Sequence, residues 1–381
     1  MAYEFCVNSN ITFGKGALKR LPDMLRQVGA SKVMIVYDAG VKAAGIAEKV
    51  VRLIEESGIP YVIFDGVIPN PTNEVVGEAS EIAKKEEVDA FIAAGGGSSI
   101  DLAKAINVLM KNPGPIERYG GINQVKNPGF PLIAIPTTAG TSSEITNVSA
   151  LIDTKKVIKY VIIDNKIMPS MVLADPELTL TVPPSVTAAT GMDAITHAVE
   201  SYISNMATPL TEYNALKGLE ILYGNLETAV KDGKNEKARE QMMLGCIITG
   251  FSFSNANLGL THAIAHTLSA RFKLAHGMAN AAVLPYVMEF NASSCPEKMV
   301  DLARAIGLKL SGEIEEDSLL LSRELLQLTK KLEIKKLSEQ GIRKEDLDAL
   351  ADDSLKEPVL GFNPRSGVQK DDIMKILYKA F

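Results

Sequence analysis

The chain has no tryptophan, only three cysteines and only four histidines among its 381 residues. The cysteines, Cys6, Cys246 and Cys295, are odd in number and far apart, so they indicate neither a disulfide framework nor a cysteine metal site. Unpaired thiols are typical of a reducing compartment. We therefore expect the protein to be cytoplasmic.

The sequence also lacks a basic surface signal and a long apolar run. Its formal net charge is −6 and its pI is about 5.5, whereas a nucleic-acid-binding surface should carry a basic stripe. The densest apolar stretch, Met242–Leu260, is interrupted by serines and asparagines, and a spanning helix needs roughly 18 apolar residues. The N-terminus has no basic-then-apolar signal order. We expect neither a nucleic-acid nor a membrane partner.

Short apolar runs alternate with amphipathic stretches in the first half of the chain. The predicted strands are Val33–Tyr37, Tyr61–Phe64, Ala90–Ala94, Leu132–Pro136, Val148–Ile152, Ile158–Ile163 and Met171–Ala174. Val41–Glu56 and Asn73–Glu87 show helical spacing between strands, which predicts a parallel sheet with flanking helices. After Pro183 only helical periodicity remains. We predict an α/β nucleotide-binding domain over residues 1–183 and an all-α metal-binding domain over residues 184–381.

Two glycine- and hydroxyl-rich segments follow predicted strands. Gly95–Asp101 leads into a predicted helix over Leu102–Leu109, where glycines would let the backbone approach a pyrophosphate at a helix N-terminus. The alternative is a plain turn, and the motif is not the G-x-G-x-x-G fingerprint. The second segment, Pro136–Glu144, offers hydroxyls and N–H groups for the same ligand, although such runs are usually loops.

Asp38 ends the first predicted strand. A carboxylate there can accept hydrogen bonds from both ribose hydroxyls of an adenosine and would repel a 2′-phosphate, which favours NAD over NADP. Position alone equally allows a helix N-cap.

All four histidines fall between positions 197 and 276. Asp193 and His197 are four apart on a predicted helix and share a face, and His262 and His266 repeat the spacing before His276. Any one of them alone would suit a structural role, but imidazoles with a carboxylate suit a divalent transition metal. The cluster therefore predicts a metal site. Its spacing leaves open whether His266 or His276 is a ligand.

Several long motifs together resemble the iron-containing (group III) alcohol dehydrogenases. They are GGGSSID, PTTAGTSSE, GMDAITHAVE and GLTHAIAHTLSARFKLAHGMANAAVLP, and the similarity extends from ITFGKGAL to NPRSGVQKDDIMKILYKA. The resemblance implies an NAD(P)-binding α/β domain and an all-helical domain with a catalytic divalent ion. The resemblance favours iron(II) as the ion. Zinc is the alternative, because imidazoles with a carboxylate accept both ions.

The resemblance also assigns roles position by position. Its metal ligands match Asp193, His197, His262 and His276, and His266 matches a further histidine beside the metal. We expect His266 to relay the alcohol proton, since an unperturbed pKa of about 6.5 suits that task. The matching cofactor residues are Asp38, Asn70, Gly96, Gly97, Ser98, Thr137, Thr138, Thr141, Lys159 and Leu178. Phe253 matches a ring beside the substrate, with ordinary core packing as the alternative.

The function implied is NAD-linked interconversion of small primary alcohols or diols with their aldehydes. A lyase of the dehydroquinate-synthase type would need a basic cluster, and only Arg271 and Lys273 are basic near the metal motifs. Glycerol dehydrogenases usually bind zinc through three protein ligands, which the four-ligand set disfavours. A non-enzymatic NAD or metal sensor is a further alternative. We expect a homodimer or higher homo-oligomer.

Overall fold

The computed structural model describes residues 2–381. The chain divides into two compact units. One unit is Cys6–Val182, and the other is Pro183–Phe381 together with the initial segment that ends at Phe5.

The Cys6–Val182 unit alternates strands and helices. Its strands are β1 (Asn10–Phe13), β2 (Val33–Asp38), β3 (Tyr61–Val67), β4 (Ala90–Gly95), β5 (Gly121–Ile122), β6 (Leu132–Pro136), β7 (Val148–Asp153), β8 (Ile158–Ile163) and β9 (Met171–Ala174). Its α-helices are α1 (Leu21–Val28), α2 (Ala39–Ala43), α3 (Ile46–Ser57), α4 (Asn73–Lys85) and α5 (Gly97–Lys111). Six strands form a parallel sheet in the order β1-β9-β6-β4-β2-β3, and β5-β8-β7 form a smaller sheet.

The parallel sheet is covered on both faces, which explains its uninterrupted apolar strands. Along β2, Met34 and Val36 enter one apolar core, whereas Val33 and Ile35 enter the core on the opposite face. Helices α4 and α5 contribute to the first core, and α1 and α3 contribute to the second. The predicted α/β class is therefore confirmed.

The sheet order brings three strand ends together. Strands β6, β4 and β2 are neighbours, and they end at Pro136, Gly95 and Asp38. Ligands of open parallel sheets bind beyond the carboxyl ends of the strands. The two predicted phosphate-binding segments and Asp38 thus share one edge of this sheet.

Some local predictions were wrong. The helix predicted over Val41–Glu56 is two helices, because Gly45 adopts a left-handed conformation with φ of 69° and separates α2 from α3. Helix α5 begins at Gly97 rather than Leu102, so the glycine-serine segment forms its first turn. The short strands β1 and β5 were not predicted.

The second unit contains only helices among its regular elements. They are α6 (Pro184–Ile203), α7 (Pro209–Lys231), α8 (Glu236–Ala256), α9 (Leu260–Phe272), α10 (His276–Asn291), α11 (Pro296–Ala305), α12 (Ile314–Asp317), α13 (Leu320–Lys331), α14 (Leu347–Ser354) and α15 (Lys370–Ala380). Within residues 2–381 no strand follows β9, which confirms the predicted all-α half.

Over the described part of the chain, no single helix is long and apolar enough to cross a membrane. Only α8 and α9 taken together, bent by 99°, meet the criteria of length and composition.

Helices α7 and α8 pack closely at Gly218. A Cβ at this position would lie 2.1 Å from Thr249 Oγ1 and 3.2 Å from the Thr249 backbone nitrogen. Gly224, on the same helix, is exposed and has nothing within 4 Å of an added Cβ. The two glycines therefore differ in packing but share a helical backbone.

We predict opposite effects of alanine at these two positions. Gly218→Ala should lower the free energy of unfolding by about 1–3 kcal/mol, because the methyl group overpacks the helix contact. Gly224→Ala should raise it by about 0.5–1 kcal/mol, because alanine loses less conformational freedom. Denaturant titration measures both values. Equal stability of the two variants would contradict the packing argument.

Candidate metal centre and cofactor loop

Four side chains from three helices converge in the helical unit. Asp193 and His197 lie one turn apart on α6, His262 lies on α9, and His276 is the first residue of α10. The Nε2 atoms of the three histidines each lie 3.9 Å from Asp193 Oδ1. Ligand atoms of Asp193, His262 and His276 all lie within 4.8 Å of one another. One carboxylate oxygen therefore lies at the same distance from a nitrogen of each of three imidazoles.

The start of α10 is pressed against α6, and a glycine makes this possible. A Cβ on Gly277 would lie 2.1 Å from the carbonyl oxygen of Ala189 and 3.2 Å from Asp193 Cβ. A larger residue would force the two helices apart. Gly277 therefore allows His276 to reach Asp193.

The side-chain amide of Asn280 lies close to acceptor atoms of Asp193, His262 and His276. It follows His276 by one turn and its Nδ2 donates to Asp193 Oδ1 at 2.7 Å. The same nitrogen lies 3.2 Å from His262 Nε2 and 3.4 Å from His276 Nε2. Three lone pairs therefore converge on one small region. Because neutral imidazoles and a carboxylate are ligands of iron(II) and zinc, the residues fit a divalent ion.

Glu200, on α6, contacts the Nδ1 side of the His262 ring. Its Oε2 accepts a hydrogen bond from His262 Nδ1 at 2.7 Å. It also accepts from the backbone N–H of Gly259 at 3.0 Å and, through Oε1, from that of Thr261 at 2.6 Å. Burial raises the pKa of the Glu200 carboxyl, but the His262 and backbone hydrogen bonds outweigh it, so the net pKa lies below its usual value.

His266 is directed differently from the three histidines around Asp193. Its Nδ1 lies 2.9 Å from Glu357 Oε2, and its ring stacks on His276 with centroids 5.4 Å apart. An ionised carboxylate can only accept a hydrogen bond, so His266 carries a proton on Nδ1 in this contact. His266 thus lies beside the cluster with its own carboxylate partner.

His197 packs against an aromatic ring. Phe253 stacks on it with ring centroids 4.2 Å apart and an interplanar angle of 17°. Phe253 is buried. Phe253 therefore packs in the interior against His197, as the packing alternative predicted. Its contact with substrate stays a prediction.

In the other unit, Asp38 forms the N-cap that its position allowed. Its Oδ1 accepts from the backbone N–H of Val41 at 2.9 Å, and its Oδ2 accepts from Ser99 Oγ at 3.2 Å. Both carboxylate oxygens are engaged in fixing the strand end to α2 and α5. The role of Asp38 in cofactor choice stays a prediction.

The glycines at the start of α5 face the hydroxyl-rich segment after β6. A Cβ on Gly96 would lie 3.0 Å from Thr138 Oγ1, and one on Gly97 would lie 2.8 Å from Thr141 Oγ1. The backbone therefore approaches this segment more closely than any side chain would permit. Such a glycine cradle at a helix N-terminus fits the pyrophosphate of a dinucleotide.

Further predicted cofactor residues differ in their surroundings. The backbone N–H of Asn70 donates to Ser98 Oγ at 3.3 Å, and that of Thr137 donates to the Gly95 carbonyl at 3.0 Å, so both lie near the cradle. Lys159 lies on β8 in the smaller sheet.

Leu178 has a different environment from these residues. It is buried in the apolar core that also contains Ile35. Its contact with a cofactor stays a prediction.

Lys104 is a buried lysine close to the hydroxyl-rich segment, and the sequence patterns did not predict this contact. Its ammonium donates to the backbone carbonyls of Ser143 at 2.6 Å, Thr146 at 2.9 Å and Val148 at 2.7 Å. Burial lowers the pKa of Lys104 to about 8. This lysine ties the segment after Thr141 to α5. Its only signal in the sequence is a lysine between apolar residues, in the segment Leu102–Leu109.

Comparison with known proteins covers nearly all of the chain. A family model described as iron-containing alcohol dehydrogenase matches residues 8–176, and the C-terminal model of the same family matches residues 187–381. The resemblance inferred from the motifs is therefore confirmed.

Individual relatives match over their full length. The chain is 37% identical to a 1,3-propanediol dehydrogenase of Citrobacter freundii, covering 100% of this chain and 99% of the relative. It is 36% identical to an NAD-dependent methanol dehydrogenase of Bacillus methanolicus, covering 99% of both. A crystal structure of 1,3-propanediol oxidoreductase superposes with a TM-score of 0.97 at 35% identity, covering 100% of both chains. The chain belongs to the iron-containing alcohol dehydrogenase family and is an oxidoreductase that acts on alcohols.

Proposed function

We propose that the chain interconverts small primary alcohols or diols with their aldehydes, using NAD and a divalent ion held by Asp193, His197, His262 and His276. The observation that carries this proposal is the placement of three Nε2 atoms, each 3.9 Å from one carboxylate oxygen. We assign cofactor binding to residues 1–183 and metal binding to residues 184–381. Iron(II) is the proposed ion, in keeping with the family, and zinc is the alternative.

The proposed NAD site is supported by the cradle in front of α5 and by the name of one relative. The Bacillus methanolicus relative is an NAD-dependent methanol dehydrogenase. Contacts are assigned to Asp38, Asn70, Gly96, Gly97, Ser98, Thr137, Thr138, Thr141, Lys159 and Leu178. We also propose a cytoplasmic homo-oligomer; three cysteines far apart in the sequence are consistent with a reducing compartment.

The chain's own residues prepare the site for hydride chemistry. When bound, the divalent ion supplies Lewis acidity and NAD supplies the hydride acceptor. Asp193 provides negative charge, and His197, His262 and His276 provide imidazole nitrogens 3.9 Å from its Oδ1. His266 exchanges the alcohol proton at its Nε2, because its Nδ1 proton is directed at Glu357.

A panel of substrates tests the proposed function. After anaerobic reconstitution with iron(II), the protein should reduce NAD with propanol or propane-1,3-diol. It should prefer them over lactate or glycerol phosphate by orders of magnitude in kcat/KM. Near the metal motifs in the sequence, only Arg271 and Lys273 are basic, so no pair of arginines is available to bind an anionic substrate. The absorbance of NADH measures the rate. An anionic substrate that outperforms the neutral alcohols would refute the proposed substrate class.

Two histidine variants separate binding of the ion from proton relay. His262→Ala should lose the metal from a folded protein, because an imidazole ligand is removed. His266→Ala should keep the metal and lose about 10²–10⁴-fold in turnover, the usual contribution of general acid–base catalysis. Elemental analysis and circular dichroism, together with turnover, measure these effects. Metal loss in His266→Ala would make His266 a ligand instead.

Asp38 should determine the choice of cofactor. Asp38→Asn removes the charge but keeps an N-cap residue of equal quality. A charge pair about 4 Å apart is worth about 1–4 kcal/mol, so the ratio of NADP to NAD activity should rise about 10- to 100-fold or more. Steady-state kcat/KM with both cofactors measures the ratio. A native protein that prefers NADPH would contradict the assignment.

A further inference from the structure

Glu200 contacts both the His262 ring and the backbone at the start of α9. Its carboxylate is fully buried, with 1% of the residue exposed. It accepts from the ring of His262 and from the backbone N–H groups of Gly259 and Thr261, at the start of the helix α9 that carries His262. It therefore fixes both the imidazole and the start of the helix on which the imidazole is mounted.

The backbone around α9 is shaped to admit this carboxylate. Gly259 precedes the helix, and a Cβ there would lie 3.2 Å from Glu200 Oε1 and 3.1 Å from Asn363 Oδ1. The first N–H groups of a helix have no partner within the helix and favour a negative charge. Glu200, which is remote in sequence from α9, supplies both the acceptor and the charge.

We infer that Glu200 is a positioning residue of the metal centre, which fixes the tautomer and the ring orientation of His262 and thereby strengthens ion binding. This inference rests on the metal centre proposed above. Because a carboxylate offers only acceptors, it keeps the proton on His262 Nδ1 and leaves a lone pair on Nε2, the atom that lies 3.9 Å from Asp193 Oδ1. Partners of this kind behind ligating histidines typically change metal affinity about 10- to 100-fold.

Glu200→Gln isolates this role with little change in volume. An amide presents an NH₂ group on one side, so at least one of the donors on His262, Gly259 and Thr261 must face another donor. Zinc affinity should fall about 10- to 100-fold. Competition with a chromophoric chelator on the full-length protein measures the affinity.

The matched control is Glu357→Gln. Glu357 makes the same kind of contact to a histidine, at 2.9 Å from His266 Nδ1, but His266 is not among the proposed ligands. This variant should retain wild-type zinc affinity. Equal losses in both variants, or no loss in Glu200→Gln, would overturn the inference. A wild-type protein that binds no zinc stoichiometrically would instead refute the metal centre itself.

A spectroscopic readout distinguishes positioning from general packing. With only four histidines in the chain, ¹⁵N-histidine labelling of the zinc-loaded protein gives a small set of ring signals. The Nδ1 proton of His262 should be downfield and slow to exchange in the wild type. It should be shifted or lost in Glu200→Gln and unchanged in Glu357→Gln.

Gly259→Ala provides a second variant should Glu200→Gln fail to fold. The added methyl group keeps the carboxylate and its charge but displaces Glu200 Oε1 from its present position. Zinc affinity should fall by less than in Glu200→Gln, with the same change in the His262 proton signal. Unaltered affinity and an unaltered signal in Gly259→Ala would count against the inference.

Discussion

A single buried oxygen, Asp193 Oδ1, constrains the helical unit, because three imidazole nitrogens at 3.9 Å surround it. Only 2% of Asp193 is exposed, and a buried carboxylate is costly unless nearby groups compensate its charge. Helix α6 supplies two of the groups from one face, so α9 and α10 must both begin close to it. Glycines at the starts of α9 and α10, Gly259 and Gly277, allow those close approaches.

Two histidine–carboxylate pairs stand near this oxygen and serve different ends. Glu200 holds His262 at 2.7 Å and also binds the start of α9, so that pair is rigid and fully enclosed. Glu357 holds His266 at 2.9 Å from a segment beyond α14 and is less buried. The enclosed pair suits a fixed ligand, whereas the more accessible pair suits a group that exchanges protons.

Local sequence patterns predicted the helices that carry the proposed metal site. Asp193 and His197, for example, lie four residues apart and therefore on the same face of a helix. The partners Glu200 and Glu357 could not be found in this way, since they lie 62 and 91 residues from the histidines they contact. The start of α5 was misplaced for another reason. Glycine is a poor helix former, yet Gly97 begins α5, and the position needs glycine because a Cβ would lie 2.8 Å from Thr141 Oγ1.

The residues of the cluster are far apart in the sequence, from Asp193 to His276, which implies that the helices pack before an ion can bind. These side chains meet only when α6, α9 and α10 have packed, so the proposed site would bind an ion in the folded helical unit rather than in the nascent chain. A ligand that binds only the native state stabilises it by about 4 kcal/mol at roughly 1,000 times its Kd. Metal bound at this site would therefore raise the free energy of unfolding as its concentration rises above the Kd.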